Sequence, residues 1–269
     1  LSTVDPSRLG HKALAVNLSD LAACGASPRA FLLSLSLPRA DEIWLSGFCQ
    51  GLHQLADAHG CELIGGDTTQ GPLNIAITVM GDLPQGQSIL RNGAQIGDDL
   101  YVSGHLGDAR LALEAFRGAI SLPQTVFDAA RLRMELPTPR VALGQALRGI
   151  ANAMADISDG LLGDLGHILK ASRVGAEIEL PLTQTLMQTT DIWDCPADLS
   201  MTCILSGGDD YELVFCAPAS ASAQVNAAAQ ASGTRVTRIG RITESQNLVL
   251  LNELGQSVHN PFRSFDHFA

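Results

Sequence analysis

Strand-like and helix-like segments alternate along nearly the whole chain, and one glycine-rich stretch, 84–97, interrupts them. Apolar residues recur at helical spacing in 11–24 and 41–59, where Ile43, Trp44, Phe48, Leu52 and Leu55 share one side. Between and after these helices, 30–37, 61–64 and 74–79 read as strands, the second ending in Gly65-Gly66. Beyond the break the pattern predicts strands at 100–103, 176–180, 211–216, 236–242 and 248–251, and one ending near Asp156. Helices are predicted at 108–117, 139–150, 160–172 and 219–232. This alternation, without strict βαβ spacing, predicts a mixed α/β fold of two domains, 1–90 and 91–269.

The 269 residues are 46% hydrophobic and 17% charged, enough to bury a large core. The formal net charge is −11, and Lys12 and Lys170 are the only lysines. A chain so acidic, with no basic block, is a poor partner for nucleic acid or anionic lipid. No apolar run reaches the length of a membrane span. Six scattered cysteines without a C-x-x-C pair predict a reduced, cytoplasmic protein, and no zinc signature is evident. The first residue is Leu, so the chain is expected to be processed or part of a longer product.

P-loop and protein-kinase signatures are missing, so phosphate handling must follow another route. Four acidic constellations are candidates. In 63–69, Asp67 follows Gly65 and Gly66, glycines that would let a ligand approach the backbone, with Thr68 next; a turn cap is the structural alternative. In 155–162, Asp156, Ser158 and Asp159 precede an apolar helix whose N-terminus favours anions, and Ser158 or Asp159 could serve as its cap. In 205–213, two glycines precede Asp209 and Asp210, a pattern also common in turns. In 11–24, Asn17 and Asp20 share a face of a very apolar helix, which predicts a buried carboxylate. The glycine loop 103–108 resembles a phosphate cradle, and Arg91 in the break has the planar fork that suits phosphate.

The strings LGHKALAVNLSDLAACGA (9–26), LIGGDTTQG (63–71), YVSGHLGDA (101–109), ADISDGLLGDLGHIL (155–169) and LSGGDDYELVF (205–215), with Arg91 and the closing 265–268, resemble the thiamine-monophosphate kinases in family order. The resemblance implies an N-terminal α/β domain that pairs with its twin in a homodimer. A C-terminal α/β domain of the type shared with aminoimidazole-ribotide and selenophosphate synthetases would follow. It also implies ATP and thiamine monophosphate as substrates, several Mg²⁺ ions, and thiamine diphosphate as product. By position, Asp20, Asp67, Asp156 and Asp159 match family metal ligands. Arg91 and Ser158, with Gly66 and Thr68, match the nucleotide side, and Asp209 and Phe265 the thiamine phosphate side. The chain starts just after the family's acidic, glycine-rich first segment, which supplies further ligands and is expected either to precede Leu1 or to be missing. The rival expectations are another ATP-dependent synthetase of this architecture and a non-catalytic nucleotide- or metal-binding relative. No general base is expected, because a phosphate monoester with a second pKa of about 6 is already a dianion at neutral pH.

Overall fold

The computed structural model describes residues 4–262. Helix α1 (Pro6–Ala23) starts a turn earlier than its apolar spacing indicates. Asp5 caps it, accepting from the Ser7 and Arg8 amides at 2.8 and 3.3 Å, and Pro6 takes the first helical position. β1 (Ser27–Leu37) follows, then α2 (Glu42–His59), opened by an Asp41 cap on the Trp44 amide and closed by Gly60 at φ 58°. β2 (Glu62–Gln70) and β3 (Asn74–Asp82) complete a three-stranded sheet of order β2-β1-β3.

The strand predicted to stop at the glycine pair runs through it to Gln70. Its pairing with β1 slips by one residue beside Ile64: Phe31 lies opposite Leu63, and Leu32 opposite Gly65. Past the slip, Gly66 (φ 144°) presses against β1 so closely that a Cβ would stand 1.9 Å from the Leu33 carbonyl oxygen. The glycine therefore serves strand pairing.

Helices α1 and α2 cross at glycine as well. A Cβ on Gly51 would meet the Ser7 carbonyl oxygen at 1.8 Å. Together they cover one face of the small sheet and bury Leu14, Phe31, Phe48 and Leu52 completely. Each such side chain contributes about 1.5–3 kcal/mol. The other face, with Leu32, Ser34 and Met80, is exposed, as is the whole of β2.

The second sheet is built from β4 (Asp98–Ser103), β5 (Ala153–Ile157), β6 (Gly175–Glu179), β7 (Glu212–Pro218), β8 (Val236–Thr243), β9 (Leu248–Leu251) and β10 (Ser257–Val258). Its order is β10-β9-β6-β8-β4-β7-β5, antiparallel except for the β6–β9 pair. Its helices are α3 (Asp108–Phe116), α4 (Gln124–Glu135), α5 (Val141–Ala146), α6 (Leu161–Ser172), the single turn α7 (Leu180–Thr183), α8 (Ala197–Ser206) and α9 (Ser222–Ser232). Leu111, Leu165 and Ile204 of α3, α6 and α8 pack on one face. The other face presents Tyr101, Met154, Leu213 and Phe215 to the core that α1 and α2 share. Helix α1 thus lies between the two sheets, against β5 and β7, which brings its polar residues to the end of β5. Among the described residues no helix is long and apolar enough to cross a membrane.

Candidate functional site

Two clefts lie near the end of β5. The first, about 460 Å³, is lined by Asp20 of α1 and Cys24 just after it, by Arg91 and Asn92, and by Asp156. Asp156 is 5% exposed, and its Oδ2 accepts a 3.2 Å hydrogen bond from the buried Ser19 hydroxyl. Burial, then the charges of Asp20 and Asp164, push its carboxyl up to about 6. Asp20, expected to be buried, stands exposed at the rim, because the helix turns Leu18 and Ser19 into the core. The cleft walls still raise its carboxyl through desolvation, against the opposing charge of Arg91. Asn17 spends its amide on the Ala13 carbonyl at 2.8 Å, a bond within its own helix.

The second cleft, about 440 Å³, is lined by Ser158, Asp159, Gly208, Asp209 and Tyr211, with Arg110 of α3 and Arg117 just after it. Neither Ser158 nor Asp159 caps α6. The cap position is Gly160, which offers no side chain, and the work passes to Asp164 inside the helix. Its Oδ2 accepts from the Ser158 and Asp159 amides, each at 3.0 Å. Burial raises the Asp164 carboxyl to about 6.

The 207–211 loop is strapped to the same turn. The Asp209 amide donates to the Ser158 carbonyl at 2.8 Å and the Tyr211 amide to the Ile157 carbonyl at 2.9 Å. Gly208 packs so near that a Cβ would lie 2.4 Å from the Ser158 carbonyl oxygen. Asp209 and Tyr211 both adopt left-handed backbone, φ 74° and 53°, a cost of order 1–3 kcal/mol each that surrounding structure must sustain. Lys12 of α1 forms an ion pair with Asp209. Asp210 turns inward, and its carboxylate accepts from the Gly107 amide at 3.0 and 3.1 Å.

That bond also corrects the reading of 103–108 as a phosphate cradle. The Gly107 amide is taken by Asp210, the Gly104 amide by the Arg235 carbonyl and the Leu106 amide by the Leu186 carbonyl. These three amides hold protein and are not open to phosphate.

The fold therefore brings Asp20, Arg91 and Asp156 into one cleft and Ser158, Asp159 and Asp209 into the next. Asp67, Gly66 and Thr68 lie elsewhere, on the exposed edge strand β2. Asp67 is opposite Ser34 in the register, on the uncovered sheet face away from α1. Phe265 falls outside the described residues. Among the described residues no three His, Cys, Asp or Glu side chains converge closely enough to hold a metal by themselves. Sequence reasoning passed over Ser19, Lys12, Asp164, Arg110 and Tyr211. Of these, only Lys12 carried a signal, as one of two lysines in the chain.

Residues 1–83 match the AIR synthase related protein N-terminal domain, and residues 95–251 match the C-terminal domain of the same family. Thiamine-monophosphate kinase of Escherichia coli (strain K12) is 39% identical over 274 residues, spanning 100% of this chain and 82% of its own. The chain belongs to the thiamine-monophosphate kinase family. Among solved members of that family, the enzyme from Stenotrophomonas maltophilia K279a superposes with a TM-score of 0.86 at 42% identity, covering 95% of this chain and 81% of that one. AaThiL complexed with AMPPCP and TMP superposes with a TM-score of 0.82 at 28% identity, covering 99% and 82%.

Proposed function

We infer that this chain transfers the γ-phosphoryl group of ATP to thiamine monophosphate, giving ADP and thiamine diphosphate. The observation that carries the reading is the pair of clefts lined from residues 156–159, one by Asp156 with Arg91 and one by Ser158 and Asp159 with Asp209. Two bound substrates there would approach each other across the end of a single strand. The family's match along the whole chain supports the same reading.

The donor chemistry of the first cleft fits Mg²⁺. Asp20 and Asp156 are hard oxygen ligands, and burial, followed by the repulsion of Asp20, raises Asp156. A divalent cation would relieve that repulsion, and Mg²⁺ commonly takes one or two carboxylates plus substrate phosphates. Asp20 and Asp156 would hold it, with Asp159 at the adjoining edge. When bound, Mg²⁺ supplies neutralisation of the phosphate charge.

The remaining work belongs to this chain's own groups. Arg91 orients a nucleotide phosphate at the first cleft, and Ser158 offers a hydroxyl in the second, two residues beyond Asp156. Lys12 fixes the Asp209 carboxylate that faces the second substrate. No side chain needs to remove a proton, because the attacking phosphate is already a dianion. Catalysis is then positioning and charge stabilisation, as in other phosphoryl transfers. A coupled ADP assay with thiamine monophosphate tests this. ADP should form in step with thiamine diphosphate, and ATP turnover indifferent to thiamine monophosphate would refute it.

We place the dimer contact on the uncovered face of the three-stranded sheet, where Leu32, Ile64 and Met80 are 38%, 57% and 37% exposed. Asp67 belongs to that face, so its role as a metal ligand would be exercised where a second copy packs. We place the reaction in the cytoplasm, in keeping with six cysteines that are all unpaired. Leu32→Glu, on the central strand, should convert a dimer to a monomer in sedimentation equilibrium. A wild-type protein that sediments as a monomer at micromolar concentration would reject the assignment.

A further inference from the structure

We propose that Asp164 is a positioning residue of the phosphoryl-transfer site, holding the 158–160 turn so that Ser158 and Asp159 face the substrates. The proposal rests on the function argued above. Its basis is geometric. Asp164 is 5% exposed, four residues into α6, and one carboxylate oxygen accepts both the Ser158 and the Asp159 amides at 3.0 Å. The Gly160 amide bonds to the same carboxyl. In the other direction, the Asp164 amide donates to the Gly160 carbonyl at 3.0 Å. The turn is thus fastened from both sides, since the Asp209 and Tyr211 amides hold its carbonyls from the opposite loop.

A helix N-terminus with open amides is a ready anion site. Here the amides of the turn that leads into the helix, those of Ser158, Asp159 and Gly160, are occupied by a carboxylate belonging to the helix itself. A substrate phosphate cannot settle on those three turn amides and must stay among the side chains of Asp156, Ser158 and Asp159 and whatever those side chains hold. Asp164 does two things at once: it aims the ligands, and it closes an unproductive resting place for phosphate. An ordinary capping residue would account only for helix stability.

The two roles separate in kinetics. Asp164→Ala frees the amides and loosens the turn, so kcat should fall by about 10–100-fold. The KM for thiamine monophosphate should stay level or drop, because phosphate gains the vacated donors. Asp164→Asn keeps an oxygen that can accept from both amides and should restore kcat to within about fivefold of wild type. Asp164→Glu keeps the charge and can still cap the helix, yet its longer side chain displaces the turn. It should lose at least about tenfold in kcat with an unchanged melting temperature. If Asp164→Ala fails to fold, the Asn and Glu variants decide the matter by themselves. A Glu variant with wild-type kcat, an Asn variant as poor as the Glu variant, or an Ala variant whose loss appears as a raised KM for thiamine monophosphate would each overturn the proposal. Wild-type protein without thiamine diphosphate formation would instead overturn the function on which it rests.

Discussion

Asp156→Asn should lower kcat for thiamine diphosphate formation by about 10²–10³-fold, and it should leave the protein at least as stable as wild type. The two signs come from one cause. The Asp156 carboxyl lies at the buried end of β5, near Asp20 and Asp164, and its folded pKa is raised to about 6. A carboxyl raised above its unfolded value weighs against the folded state once pH exceeds both values. Asparagine keeps the shape, removes that charge, and can still accept from Ser19. Without a cation, then, the variant loses nothing in folding. It would lose the carboxylate proposed to hold Mg²⁺ in the first cleft, and with it the proposed neutralisation of the phosphates. Parallel measurement of kcat and melting temperature in metal-free buffer checks both halves. Undiminished turnover rejects Asp156 as a ligand, and a large fall in melting temperature rejects the account of its burial.

Arg140→Met should be the most destabilising single change near the site, at about 3–5 kcal/mol at neutral pH. Glu212 opens β7 with 1% of its surface exposed, one residue after Tyr211. Arg140 grips it with two hydrogen bonds of 2.6 Å, Arg133 adds one of 3.0 Å, and the Ser103 hydroxyl one of 2.6 Å. Burial alone would raise the Glu212 carboxyl. The Arg140 hydrogen bonds and charge, with help from Arg133, outweigh burial and hold it below its ordinary 4.5. A depressed carboxyl contributes stability above pH 4.5 that disappears as pH falls through the lower folded value. Removing Arg140 leaves the charge buried with one guanidinium, so burial then prevails and the carboxyl rises. The deficit of the variant should therefore be largest near pH 7 and shrink as the pH is lowered toward 4.5 and Glu212 takes up a proton. Urea denaturation at neutral and mildly acid pH measures this. A deficit that does not change with pH would point to lost packing around the Arg140 stem instead. The 207–211 loop leads directly into this anchor, so the KM for thiamine monophosphate should rise as stability falls.

Helix α2 and strand β9 were legible in the sequence because each has a single strong signal: an apolar stripe after Asp41, and a short apolar run bounded by polar residues. Helix α4 was not read. It buries only Val126, Ala130 and Glu135, and Glu135 is buried through ion pairs with Arg8 and Arg131 that no local pattern announces. β2 was cut short because a glycine pair ordinarily ends a strand, whereas here Gly66 permits close pairing with β1. Of the acids beside glycine, Asp159 and Asp209 line one cleft whereas Asp67 lies apart on β2, and residue type did not reveal their individual exposure. Asp20 and Ser19 are neighbours on one helix with opposite fates, and only the packing of α1 between two sheets decides which one is buried. Asp164 was invisible for a related reason. Within an apolar helix its spacing reads as a surface acid, and its partners are amides, which every sequence has.

Transfer from ATP made chiral at its γ-phosphorus tests the central claim most directly. Direct transfer between two substrates held in the proposed clefts predicts inversion of configuration in the thiamine diphosphate formed. Retention would require two successive transfers, hence a phosphorylated protein group, and would contradict the account.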